Sequence, residues 1–239
     1  MPAASPITTS ATTTRMTTDA DGLLRLLAWL SPTFPTGGFA WSHGIEWAVE
    51  AGEISDAAGL RVWLEDVLAR GSGRSDAILL RHAHRAAGDD DALAAICEFA
   101  LAAQPAAERR AETVGQGNAF RLAAAPWDST VLRRLAARVA DVPYPVAVGA
   151  LAGAHDIAED DTVLGLLQAV ATNLISAAVR LVPLGQSAGL SVLAALAPTV
   201  RAVAAQTQTA GLNDLGGACF RSDLAAMRHE TQYTRLFRS

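Results

Sequence analysis

Lysine is missing from this chain: all 19 basic residues among its 239 are arginine. A P-loop lysine and a Schiff-base lysine are thereby excluded. The absence accompanies an alanine excess and reads as the mark of a codon-biased genome. Cysteine is scarce too. Cys97 and Cys219 lie far apart with no CxxC pair, which fits a reducing compartment and leaves no disulfide framework. The net charge of −5 gives no basic excess, so nucleic acid is not an expected partner. The first twenty residues lack an apolar h-region and are not expected to be a secretory signal. Strand-like runs are nearly absent as well. The one exception, "YPVAVGAL", is flanked by alanine and glycine and reads as a buried helix.

What is present is helical period. Leu23, Leu26, Leu27 and Leu30 follow the i, i+3, i+4, i+7 rule, as do Leu60, Trp63, Leu64, Val67 and Leu68. Leu93, Ile96, Cys97, Ala100 and Leu101 repeat it, and so do Val131, Leu132, Leu135 and Val139. Gly52, Gly71 and Gly88 sit where glycines end helices. Ser55, Ser75 and Ser222 suit N-caps, and Pro105 and Pro198 suit first-turn positions. Gly153 and Gly165, each costing about 1 kcal/mol against alanine inside a helix, mark close helix approaches. Pro183 and Gly185 break a long helix near 180–190. The expected fold is all-α, a single bundle of about ten helices over residues 22–239, behind a Thr/Ser/Ala-rich disordered tail at 1–21. The apolar run 162–184 could span a bilayer by length, but Gln168, Asn173, Arg180 and Pro183 interrupt it. It reads as a buried helix and not as a membrane segment.

The residues offer three candidate roles. Ser42, His43 and Glu46 carry the residue types of a serine hydrolase. On a helix, however, His43 is rotated by about 100° from Ser42, and no G-x-S-x-G elbow exists. Ser42 is better read as a cap, with Glu46 beside the helix dipole. The histidines His43, His82, His84, His155 and His229 are scattered, and His82 and His84 point to different sides of a helix, so no metal site and no cofactor are expected. The end of the chain, "RSDLAAMRHETQYTRLFRS", interleaves Leu224, Met227, Tyr233, Leu236 and Phe237 with Arg228, Arg235 and Arg238. Aromatic and arginine anchors of this kind either fold back on the core or dock on a partner.

Three segments carry a family resemblance from about residue 23 onward. "LLRLLAWLSPTFPTGGFAWSHGIEWAVEAG", "NLISAAVRLVPLGQSAG" and "DLAAMRHETQYTRLFRS", in that order, resemble the urease accessory protein UreF family. The resemblance implies an all-helical, non-enzymatic, cytoplasmic scaffold that dimerises. Its implied partners are a UreD/UreH-type accessory protein, the nickel-carrying GTPase of the UreG type, and the urease apoprotein. GTP hydrolysis would then be coupled to nickel insertion. Ser42, Gly44 and Glu46 match the family's Ser-x-Gly-x-Glu run, and Arg180 and Gln186 match its Pro-Leu-Gly-Gln segment; both are implied to lie on a GTPase-facing surface. Arg228, His229, Glu230, Tyr233 and Arg235 match the tail implied to order against the second scaffold. His43 departs from the pattern, where glutamine or phenylalanine is common. Pro32, Pro35, Gly37 and Gly38 can fix a rigid turn, expected to present Phe39, Trp41 and Glu46 as a shaped surface. The remaining alternatives are the Ser42 hydrolase and an α-helical adaptor for an unrelated complex.

Overall fold

A computed structural model describes residues 17–239. Most of the tail expected over 1–21 therefore lies outside the described residues. Its last part is already ordered: Asp19 caps helix α1 (Ala20–Trp29), its side chain accepting from Gly22 N at 2.7 Å. Among the described residues the regular structure is entirely helical. After α1 come α2 (Ile45–Glu50), α3 (Ala57–Arg70), α4 (Ser72–Arg85) and α5 (Asp90–Ala102). Then follow α6 (Ala107–Ala123), α7 (Thr130–Ala136), α8 (Tyr144–Ala154), α9 (Glu159–Leu181), α10 (Gln186–Gln206) and α11 (Phe220–His229). Short 3-10 turns occupy Gly38–Ala40 and Leu212–Asp214.

The "YPVAVGAL" run is α8, and it forms the hub. Its residues from Pro145 to Ala152 are all buried, so it shows no polar face. It lies against α4 at glycine-enabled distance. A Cβ on Gly149 would fall 2.3 Å from the Leu80 carbonyl oxygen, and one on Gly153 would fall 2.3 Å from that of His84. Around this pair, α4, α9 and α10 are tied by a buried charge. Arg81, only 1% exposed, donates to Glu159, to the Ala204 carbonyl at 2.7 Å and to Thr207 Oγ1 at 3.2 Å, and pairs with Asp160 at 2.8 Å. The break near 180–190 separates two helices. Val182 turns extended after Leu181, and α10 restarts at Gln186. Helices α9 and α10 are each long and apolar enough to cross a membrane, yet Val163, Leu166, Leu167 and Leu174 of α9 are buried in the core.

Several punctuation marks fall elsewhere than the sequence suggests. Asp56, one residue past Ser55, is the cap of α3 and accepts from Gly59 N at 2.7 Å. Ser75 and Ser222 lie inside α4 and α11. Pro105 precedes the Ala106 cap of α6, and Pro198 sits inside α10. The leucine stripe of α1 also departs from expectation. Leu26 and Trp29 are buried, but Leu23, Leu24 and Leu27 are 52%, 65% and 63% exposed. Helix α1 lies on the outside of α9 and buries only a narrow face. The rest of its stripe lines an open apolar groove with Leu164, Gly165 and Ala169 of α9.

Candidate partner-docking site

The three segments that carried the resemblance are far apart in the chain and meet in space. The first is the turn before α2. It is built by left-handed backbone at Gly37 (φ 74°), His43 (φ 59°) and Gly44 (φ 77°). The non-glycine residue in that series is held by its surroundings: His43 Nε2 hydrogen-bonds with Ser72 Oγ at 2.9 Å. The second segment, the end of α9, grips this turn. Asn173 Nδ2 donates to the Gly38 carbonyl at 3.0 Å, and Arg180 donates to that of Phe39 at 2.7 Å.

The third segment closes over both. Arg238 N donates to the Ala40 carbonyl at 2.8 Å, and Ser42 N donates to that of Ser239 at 2.7 Å. The Ser42 hydroxyl also donates to the Ser239 carbonyl while accepting from Glu46 N at 3.3 Å. Glu46 is the centre of this clasp. Its carboxylate accepts from Leu236 N at 2.6 Å and from Phe237 N at 2.9 Å, and lies 3.0 Å from His229 Nε2. The other ring nitrogen of His229 is 2.7 Å from Glu108, to which Arg235 donates at 2.9 Å. The guanidinium of Arg180 stacks 4.2 Å above the Phe237 ring.

The expected site residues thus fall into two sets. Ser42, Gly44, Glu46 and His229 are buried and hold the chain's own C-terminal segment. Arg180, Gln186, Arg228, Glu230, Tyr233 and Arg235 are exposed around it. Glu230 accepts from Ala107 N at 2.9 Å, and Tyr233 is fully exposed. The turn presents Phe39 as expected, but Trp41 and Glu46 are buried beneath it, because the tail covers them. The tail therefore does both things that its anchors allowed. Phe237 and Ser239 fold onto the core, while Tyr233 and Leu236 face outward.

Helix α11 carries the same division to an unusual degree. It buries Ser222, Ala225, Ala226 and His229 and exposes Phe220, Leu224 and Met227 at i, i+4 and i+7. A helix that buries its small residues and exposes its large apolar ones offers a docking stripe.

The hydrolase reading fails on geometry. Ser42 is fully buried, its hydroxyl is committed to Ser239, and His43 turns to Ser72 instead. His229 is held between two carboxylates, and the remaining three histidines meet the backbone: His82 faces the Ala210 carbonyl at 3.1 Å, His84 that of Ile157 at 2.6 Å, and His155 that of Asp128 at 2.9 Å. Among the described residues, no group of three or more His, Cys, Asp or Glu side chains is arranged to hold a metal ion.

Sequence reasoning missed the polar wall under the turn. Arg109, Glu112 and Thr113 of α6 are buried. Arg109 donates to Glu112, and Gln116 donates to the same carboxylate at 3.1 Å. A signal was available. Positions 109, 112, 113, 117 and 120 share one helical phase that ends in the buried Phe120, so two charges stand in the core stripe.

A family model described as UreF matches residues 54–197. A Xanthobacter autotrophicus protein named urease accessory protein UreF is 55% identical over 221 residues, covering 91% of both chains. Proteins of the same name from a Bradyrhizobium species and from Methylorubrum populi are each 52% identical. They cover 92% and 90% of this chain and 93% and 98% of their own lengths.

Proposed function

Since the chain belongs to the UreF family of urease accessory proteins, not to any class of enzymes, we propose that it is a cytoplasmic docking scaffold in urease maturation. In this reading it binds a UreD/UreH-type accessory protein, recruits the nickel-carrying UreG-type GTPase, and couples GTP hydrolysis to nickel insertion into apo-urease. The observation that carries the reading is the convergence of the turn, the end of α9 and the C-terminal segment on one surface. The exposed stripe of α11, with Arg228, Glu230, Tyr233 and Arg235 beside it, is the face for the second scaffold. Phe39, Arg180 and Gln186 rim the face for the GTPase. Ser42, Gly44, Glu46 and His229 act from below by fixing both faces in place.

The groove between α1 and α9 is assigned to a second copy of the chain. It is apolar, it exposes Leu23 and Leu27 of one helix, and a two-fold contact would cover both copies at once.

Co-expression with the accessory partner, the GTPase and apo-urease tests the scheme. Leu224→Arg with Met227→Arg is expected to abolish co-purification of the accessory partner while the chain stays folded. Leu27→Arg is expected to halve the mass of the complex by light scattering. Retention of the partner by the first variant, or an unchanged mass with the second, overturns the corresponding assignment.

A further inference from the structure

A cavity of about 490 Å3 lies beneath the 31–39 turn. Its inner wall carries Asp76 of α4, Arg109 and Glu112 of α6, Tyr144 of α8 and His43 of the turn. These groups do not balance. Arg109 and Glu112 form one ion pair, and Gln116 satisfies the carboxylate further. Burial, and secondarily Arg109, holds the His43 imidazole well below its ordinary pKa, so it adds no charge at neutral pH. Asp76 makes no hydrogen bond and no ion pair among the described residues. Burial pushes its carboxyl up to about 6, against the opposing pull of Arg109. Asp223 of α11 also acts on Arg109, drawing on the same positive charge. Near neutral pH the cavity therefore holds one carboxylate more than its cations balance.

A half-buried carboxylate with no cation of its own costs stability in the free protein. The cost is recovered when a ligand brings the opposite charge. A divalent metal fits poorly, since Arg109 already stands in the cavity and no three-ligand group is formed. A single positive charge with several N–H donors fits well. The rim favours a protein as its source: Pro32, Thr33, Pro35 and Phe39 are exposed there and form a collar that only a covering surface would bury.

We propose that this cavity receives the guanidinium or ammonium head of a basic side chain, offered by the protein that docks over the 31–39 turn, with Asp76 as its counter-ion. The inference deepens the GTPase-facing role proposed above and rests on it.

Asp76→Asn in the full chain is the test. The variant keeps the shape and removes the half-buried charge, so its Tm near pH 7 is expected to equal or exceed that of the parent. The folded pKa lies above the unfolded one, so any gain is fully present above about pH 6 and fades as pH falls toward 4. Binding of the GTPase is expected to weaken at least tenfold, with assembly on the second scaffold unchanged and with partial rescue by Asp76→Glu. Methylguanidinium serves as a free probe of the same chemistry. It is expected to give saturable NMR shifts around Tyr144 in the parent and none in Asp76→Asn. GTPase binding equal to the parent, or methylguanidinium shifts that persist in the variant, overturns the proposal. If the parent itself does not bind the GTPase, the docking role falls, and the methylguanidinium titration still decides the cavity.

Discussion

Glu46→Ala is expected to release the last ten residues of the chain while the bundle stays folded. One buried carboxylate holds two backbone N–H groups and faces an imidazole. Hydrogen bonds to a charged group contribute about 1.5–3 kcal/mol each, and stripping one partner from a buried charged cluster costs about 3–5 kcal/mol. The other contacts of residues 230–239 are spread along the segment: Glu230 on Ala107 N, Arg235 on Glu108, Arg238 N on the Ala40 carbonyl, Ser239 on Ser42, and Phe237 under Arg180. Phe237 and Ser239 are the buried anchors, and both sit directly beside the Glu46 clasp. The core elements α4 and α8 are joined to each other at close range through Gly149 and Gly153, independently of Glu46. Hydrogen exchange separates the two regions. The amides of Leu236, Phe237, Arg238 and Ser42 are expected to exchange at least a hundredfold faster, the factor that about 3 kcal/mol of lost protection gives. The amides of α4 and α8 keep their rates. Co-purification of the accessory partner is expected to fail, because Tyr233, Arg235 and Leu236 no longer hold a fixed geometry. Equal acceleration throughout the molecule would mean that the clasp is part of the core and not a device for presenting a surface.

How much of this was legible in the sequence depends on range. The helices were legible, because a 3.6-residue period is local and survives without tertiary knowledge. So was the close approach at Gly153. Gly165 was legible in the same way, and a Cβ there would meet Leu30 at 2.6 Å. The α1 stripe was misleading because period reports which face is apolar, not what covers it. Leu23 and Leu27 have the phase of core residues and line a groove instead. The role of Glu46 was not legible at all. Two of its three carboxylate partners lie about 190 positions away, at Leu236 and Phe237, and present only backbone N–H groups, which carry no residue signature. Asp76 was equally silent, since its meaning lies in the partner it lacks. The charged pair Arg109 and Glu112 was legible in principle, as two charges in the buried phase of a helix.

Gly44→Ala is expected to be far more damaging than the same change at Gly37 or Gly52, although all three share one backbone conformation. Their φ values are 74°, 77° and 76° for Gly37, Gly44 and Gly52. An alanine pays for left-handed backbone with about 1–2 kcal/mol at any of them. At Gly37 and Gly52 nothing lies within 4 Å of an added Cβ, so that conformational cost is the whole effect. At Gly44 the new atom would stand 2.6 Å from Ala226 N and 3.0 Å from both the Ala225 carbonyl carbon and Ala226 Cα. Those neighbours are the backbone of α11, which cannot rotate away as a side chain can. Relief requires α11 to move off α2, adding about 1–3 kcal/mol of overpacking. With about 2–4 °C per kcal/mol for a domain of this size, Gly37→Ala and Gly52→Ala are expected to lower Tm by about 2–8 °C. Gly44→Ala is expected to lower it by about twice as much. It is also expected to speed exchange across α11, which the controls leave unchanged. Equal Tm losses in all three variants would reduce Gly44 to a turn residue. The expected inequality instead makes the glycine of the Ser-x-Gly-x-Glu run a contact point between two helices. Its missing side chain lets α11 sit close enough for His229 to reach Glu46, and so sets where the apolar stripe of α11 faces outward.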